Sequence, residues 1–130
     1  MITEDYVSYE TAKLLKEKGF DIPYNSFRGV YINGVLLNPG DGYRFNYEDE
    51  IINVCSLQTA MKWLREVHHY YIQVMLDSWA YGGHMGYYVI IQKTNSEFEI
   101  MLSDKIDKVF YDEPEEACEE AIKYCLENLI

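Results

Sequence analysis

The order of helix-period and strand-period segments in this 130-residue chain predicts an α+β fold. Three observations predict it: a helix with both ends specified over 8–20, an Asn33-Gly34 hairpin signal, and a run from residue 56 that reads helix, three strands, helix. The expected C-terminal part, 55–130, is an α-β-β-β-α two-layer domain, a three-stranded antiparallel sheet with two helices on one face. A short helix and a β-hairpin-rich segment, 1–54, precede it.

Each element has a local reason. Ser8 is suited to cap the first helix, Val7 can staple onto Ala12, and Ala12 and Leu15 form its apolar stripe with Leu14 at the margin. Gly19 follows the last turn where a left-handed residue is wanted, and Phe20 can fold back on Leu15. Val30-Tyr31-Ile32 and Val35-Leu36-Leu37 flank Asn33-Gly34, a pair that accepts the positive φ angles of a type I′ turn. A second turn cluster at 38–42, a strand at 43–47 and another at 51–54 complete the hairpin-rich segment. Ser56 is the cap of the second helix, with Leu57, Ala60, Met61, Leu64 and Val67 inward. Tyr70, Ile72, Val74 and Leu76 then alternate as the buried face of a strand. A glycine-rich loop leads to a strand over 87–93, and Phe98, Ile100 and Leu102 point one way in a third, with a short extended piece at 109–111. The last helix opens at Asp112 or Glu113 and buries Ala117, Cys118, Ala121, Ile122, Cys125, Leu126 and Leu129.

Composition narrows the function classes. Hydrophobic residues make up 48% of the chain, enough for a core, and no apolar run reaches the roughly 20 residues of a membrane span. An acidic start without a leader pattern makes the cytoplasm the expected compartment. The net charge of −11 repels phosphate backbones and anionic lipids, which argues against direct nucleic-acid binding and against a membrane partner. Cys118 and Cys125 are seven residues apart, about 10 Å on a helix, too far for a disulfide, so all three cysteines read as free thiols.

The C-terminal order resembles that of the double-stranded RNA-binding domain, with Gly82-Gly83-His84 where that family carries a minor-groove loop. The likeness is one of topology only. Where the family sets lysines against phosphates, this chain has Asp112-Glu113-Pro114-Glu115-Glu116, then Glu119 and Glu120, which would repel them. Three further stretches, 7–21, 58–68 with its Ala60-Met61-Lys62-Trp63-Leu64 core, and the ends of the closing segment 115–130, resemble uncharacterised small proteins of gut Bacteroidales genomes, often in prophage-like regions. That resemblance implies a cytoplasmic host or phage accessory protein and brings no chemistry.

No catalytic or metal-binding set assembles. Adjacent His68 and His69 diverge by about 100° on a helix and cannot chelate together, and a cation at a helix C-terminus has an electrostatic reason to be there. Cys55 precedes a helix N-terminus, where thiol pKa falls, and is the one cysteine worth testing as a nucleophile. Glu115, Glu116, Glu119 and Glu120 are expected on the outer side of their helix, as solvated carboxylates. No cofactor motif is present. The loop 78–88 stands out, because Trp79, Tyr81, His84, Tyr87 and Tyr88 crowd around glycines where small polar residues are usual. Such aromatics either fold back on residues 24–54 or form a partner surface, with the hairpin around Tyr31 and Tyr43 as its other half.

The expectation is therefore a non-enzymatic accessory or adaptor protein of prophage origin, acting through contact with a protein partner, a second copy of itself included. The alternative is an acidic nucleic-acid mimic or a binder of a basic nucleic-acid-processing protein. A small enzyme using Cys55 or a histidine site is the third reading.

Overall fold

Ser8 opens the first helix: its Oγ accepts the Thr11 N–H at 3.2 Å, and α1 runs Tyr9–Glu17. Gly19, at φ +89°, closes it, with the Gly19 N–H donating to Lys16 O at 3.2 Å and the Phe20 N–H to Leu15 O at 2.9 Å. These two bonds are the Schellman pair that the glycine makes possible. The computed structural model describes residues 5–20, 29–37 and 48–130, which form an α+β fold of helices and antiparallel sheets. The chain divides into two compact units, Met1–Ala60 and Met61–Ile130, and the boundary falls within the second helix.

In the first unit, β1 (Gly29–Ile32), β2 (Val35–Leu37) and β3 (Ile51–Val54) form a sheet in the order β2-β1-β3. Asn33 at φ +51° and Gly34 at φ +82° make the β1–β2 turn, both residues left-handed as a type I′ turn requires. The Asn33 side chain has a second task. Its Nδ2 donates to Asp49 Oδ1 and its Oδ1 accepts the Glu50 N–H, both at 2.9 Å, which anchors the approach to β3. Val7, Leu15, Ile32, Ile52 and Val54 are buried. The turn cluster expected at 38–42, the strand expected at 43–47 and the proposed contact at Tyr43 lie outside the described residues.

Ser56 Oγ accepts the Thr59 N–H at 3.2 Å and starts α2 (Leu57–His68). Leu57, Ala60 and Leu64 are buried, but Val67, expected inward, is exposed. At 100° per residue the position directly beneath Leu64 is His68, and Val67 falls to the margin of the stripe. His68 is accordingly half-buried, its ring edge-on to Trp63 with centroids 4.6 Å apart.

The second unit is built on β4 (Tyr70–Asp77), β5 (Gly86–Lys93) and β6 (Glu99–Met101), antiparallel and in that order. The register pairs Ile72 with Ile91, Val74 with Val89, and Ile91 with Ile100, so these side chains share one face. Val89 and Ile91 are fully buried there. Helix α3 (Pro114–Tyr124), continued by a π-helical turn, Cys125–Leu129, packs against β4 and β5. The Tyr70 hydroxyl donates to Leu129 O at 3.3 Å and ties the end of that helix to the same face. Ala117, Ala121, Ile122, Cys125 and Leu126 are buried as expected, whereas Cys118 and Leu129 are only half-buried.

Three expectations for this unit change. Leu76 pairs with Tyr87 at the loop end of the sheet and is exposed there, so the buried face of β4 is shorter than the alternation suggests. Phe98 is exposed and lies outside β6, in the β5–β6 turn that its carbonyl closes by accepting the Lys93 N–H at 2.9 Å, with its ring edge-on to Tyr70 at the end of the sheet. Glu115 and Glu116 are exposed, but Glu119 and Glu120 are half-buried, so the outer side of α3 is less solvated beyond its first turn than the spacing predicts. Among the described residues no helix is long and apolar enough to cross a membrane.

Candidate partner-contact face

The sheet of the second unit has another face, and it too is apolar. Pairing of Tyr71 with Gln92, Gln73 with Ile90, Met75 with Tyr88, and Ile90 with Met101 puts these side chains on the face opposite Ile72 and Ile91. Tyr71, Met75 and Met101 are exposed, and Tyr88 and Ile90 are half-buried. A polar ladder crosses the patch: Gln73 Nε2 donates to Gln92 Oε1, and Gln92 Nε2 to Glu99 Oε2 at 3.0 Å. Amides spent on one another in this way leave the apolar neighbours as the groups available for contact.

One end of the face is partly roofed. A Cβ on Gly86 would lie 2.8 Å from Ala80 Cβ, 2.9 Å from Tyr81 Cε2 and 3.2 Å from Phe110 Cβ, so the loop after β4 and the Phe110 segment close over this glycine. Only a residue without a side chain permits that approach. Phe110 takes Tyr81 and Tyr88 edge-on, with centroids 5.8 and 6.4 Å away. Beside it, Asp77, Tyr88, Met101, Ser103, Val109 and Phe110 line a shallow hollow of about 220 Å³.

Of the five residues singled out from the sequence, Trp79, Tyr81 and His84 lie in the loop between β4 and β5. Trp79 is 76% exposed, its N–H held by Asp77 Oδ1 at 2.9 Å. Tyr81 is exposed at its outer edge while its ring meets Phe110, and the carbonyl of exposed His84 accepts the Tyr81 N–H at 3.1 Å. Tyr87 and Tyr88 belong to β5, on opposite faces: Tyr88 joins the open patch, whereas Tyr87 exchanges backbone hydrogen bonds with Tyr111 at 2.8 and 2.9 Å on the α3 side. Tyr71, Met75, Ile90, Met101 and Phe110 were not singled out. Their signal was present, because Tyr70–Asp77 and Gly86–Lys93 read as nearly unbroken apolar runs, the pattern of strands covered on both faces.

The other candidate residues do not gather. Among the described residues no three of His, Cys, Asp and Glu are placed to hold a metal ion. Cys55 is fully buried, directly before the Ser56 cap. The half-buried His68 has its Nε2 shielded from solvent, and burial, together with neighbouring His69, holds its pKa below the usual histidine value. Burial pushes the Cys125 thiol up to about 12, so it stays protonated and inert at neutral pH. A second hollow, about 120 Å³ in the first unit, is lined by Ala12, Leu15, Phe20 and Ile52 among others, and its one cation, Lys16, already donates to Ile51 O at 3.1 Å.

Comparison with protein-family models, with curated proteins and with solved structures finds no match. The functional reading therefore rests on the geometry of the face itself.

Proposed function

We propose that this chain is a non-enzymatic accessory or adaptor protein that docks the open face of the β4-β5-β6 sheet, with Trp79 and Tyr81 at its edge, onto a protein partner. One observation carries the reading. Tyr71, Met75 and Met101 stay exposed on a sheet whose opposite face already supplies the core, and Trp79 stays exposed in the adjoining β4–β5 loop. Aromatic and methionine side chains gathered in this way are the usual material of interface hot spots and adaptable contact surfaces. Part of the same proposal is that α2 joins α3 on the inner face, completing a two-layer α-β-β-β-α domain, and that the protein works in the cytoplasm.

The test is affinity capture from lysate with the native chain and with a Trp79→Ser, Met75→Ser, Met101→Ser variant. Proteins held by the native chain and lost by the variant support the reading, and identical capture by both overturns it. A second reading, contact with a basic nucleic-acid-processing partner, draws on the net charge of −11 and on exposed Glu115 and Glu116 at the entrance of α3. It requires that capture weaken steeply with salt and be indifferent to the three apolar substitutions.

A further inference from the structure

Strand β4 is eight residues long and lies at the edge of its sheet, since the order is β4-β5-β6. Among the described residues no strand pairs along its other side. Long edge strands of natural proteins are usually blunted by lysine, proline or a bulge, because their unpaired N–H and C=O groups recruit other strands. Tyr-Tyr-Ile-Gln-Val-Met-Leu-Asp carries none of those devices, and its only charge is the terminal Asp77.

We propose that β4 pairs antiparallel with β4 of a second copy, about a two-fold axis through Gln73, to give one continuous six-stranded sheet. The proposal rests on the reading that the second unit acts by protein contact, and it names the partner. Three observations commit it to a second copy. First, residues directly opposite in an antiparallel pair share a face, so a two-fold must pass through a residue and not between two. Centred on Gln73, it sets Tyr71 against Met75 and Gln73 against itself on the open face, and Ile72 against Val74 and Tyr70 against Leu76 on the other. Every apolar side chain of the strand then meets an apolar one, whereas centring on Val74 would set Tyr71 against Asp77 and Gln73 against Met75. Second, charge favours this edge of the sheet: in a chain of net charge −11 an uncharged strip lowers the repulsion between two copies, and β4 from Tyr70 to Leu76 is one, whereas β6 at the other edge carries Glu99. Third, antiparallel pairing brings the Leu76–Trp79 end of one strand to the Val67–Tyr70 end of the other. Leu76 is 55%, Trp79 76% and Val67 55% exposed, so both ends bring uncovered apolar surface to the junction.

Sedimentation equilibrium of the full chain tests this, with a charge pair that reads the register. Residues 71 and 75 are about 13 Å apart within one strand, too far to interact, yet they face each other across the proposed axis. The native chain is expected to dimerise, more tightly as salt rises, because salt screens the repulsion between two acidic bodies and leaves the neutral edge untouched. Tyr71→Lys, which sets lysine against methionine, should weaken the dimer about tenfold or more, and adding Met75→Glu should restore most of that loss through two crossed Lys–Glu pairs. Circular dichroism of both variants, unchanged because the side chains are exposed, separates lost pairing from lost folding. A monomer up to about 100 μM, slow hydrogen exchange in a monomer of the β4 amides that point away from β5, or a dimer indifferent to Tyr71→Lys would each overturn the proposal. Capture of a different protein that depends on Trp79, Met75 and Met101 would leave the wider contact reading standing in all three cases.

Discussion

The two faces of the β4-β5-β6 sheet are nearly equal in apolar content and opposite in fate. Ile72, Val74, Val89 and Ile91 line the face on which α3 packs, and the last two are fully buried. Tyr71, Met75, Tyr88, Ile90 and Met101 line the other, three of them exposed. A sheet needs one buried face to be stable, and natural antiparallel sheets commonly leave the second one polar. The difference teaches that folding alone explains the first face and leaves the second unaccounted for. Side-chain type fits this division: branched aliphatics, stiff and well suited to a fixed core, dominate the covered side, and methionine and tyrosine, adaptable or amphipathic, dominate the open one.

Substitutions can break or sharpen that contrast. The largest effect is expected under α3. Leu126→Ala removes a fully buried side chain and should cost about 2–5 kcal/mol in urea unfolding. At the roofed end of the open face, Gly86→Ala should cost about 1–3 kcal/mol, since the new methyl meets Ala80, Tyr81 and Phe110 at 2.8–3.2 Å. A destabilisation near zero there would mean that the loop does not close over the sheet.

Tyr111 comes next. It is buried on the α3 side, and none of the described residues offers its hydroxyl a hydrogen bond. Lys108 Nζ instead stands 4.7 Å from its ring centroid while pairing with Glu116 Oε1 at 2.6 Å. Removing an unpaired hydroxyl costs little or helps, so Tyr111→Phe should be neutral or stabilising by up to about 1 kcal/mol. The same residue sets a pH dependence. Burial, then the nearby Glu120 and Glu116 carboxylates, raise its phenol from 10.0 to about 12. The folded state therefore holds the proton that the unfolded chain begins to release near pH 10, and stability falls as pH rises from about 10 to about 12. Tyr111→Phe should flatten that alkaline slope, leaving the part due to Cys125, raised from 9.0 to about 12. The smallest effect belongs to the open face. Met75→Ser with Met101→Ser should stay within about 0.5 kcal/mol of the native stability while reducing partner binding. A loss comparable to Leu126→Ala would show that this face is core after all.

Much of the scaffold was legible because it is written in local chemistry. Ser8, Gly19, Asn33-Gly34 and Ser56 each act where a cap or turn demands them, and Ala117, Ala121, Ile122, Cys125 and Leu126 face inward as their spacing requires. What was not legible depends on the ends of elements, where periodicity no longer says how far the covering layer reaches. Val67, Leu76 and Phe98 all sit at such ends and are all exposed. The candidate site was half legible for a related reason. Aromatics in a loop are conspicuous one by one, so Trp79 and Tyr81 were singled out, while Tyr71, Met75 and Met101 are conspicuous only once strand pairing shows that they share a side. Alternation within one strand marked a buried face and made the residues between look like its polar complement, though two of those four, Tyr71 and Met75, are apolar.

Between α2 and β4 stands a single residue, His69, at φ +66°, whose carbonyl accepts the Thr94 N–H at 2.7 Å. Histidine tolerates the left-handed region better than most side chains, and here it reverses the chain with no slack on either side. The helix thereby sets the phase of the strand that follows. One residue inserted at this joint would turn β4 over, sending Ile72 and Val74 outward and Tyr71 and Met75 against α3. Which surface this protein shows to the world is decided at that one hinge-tight step.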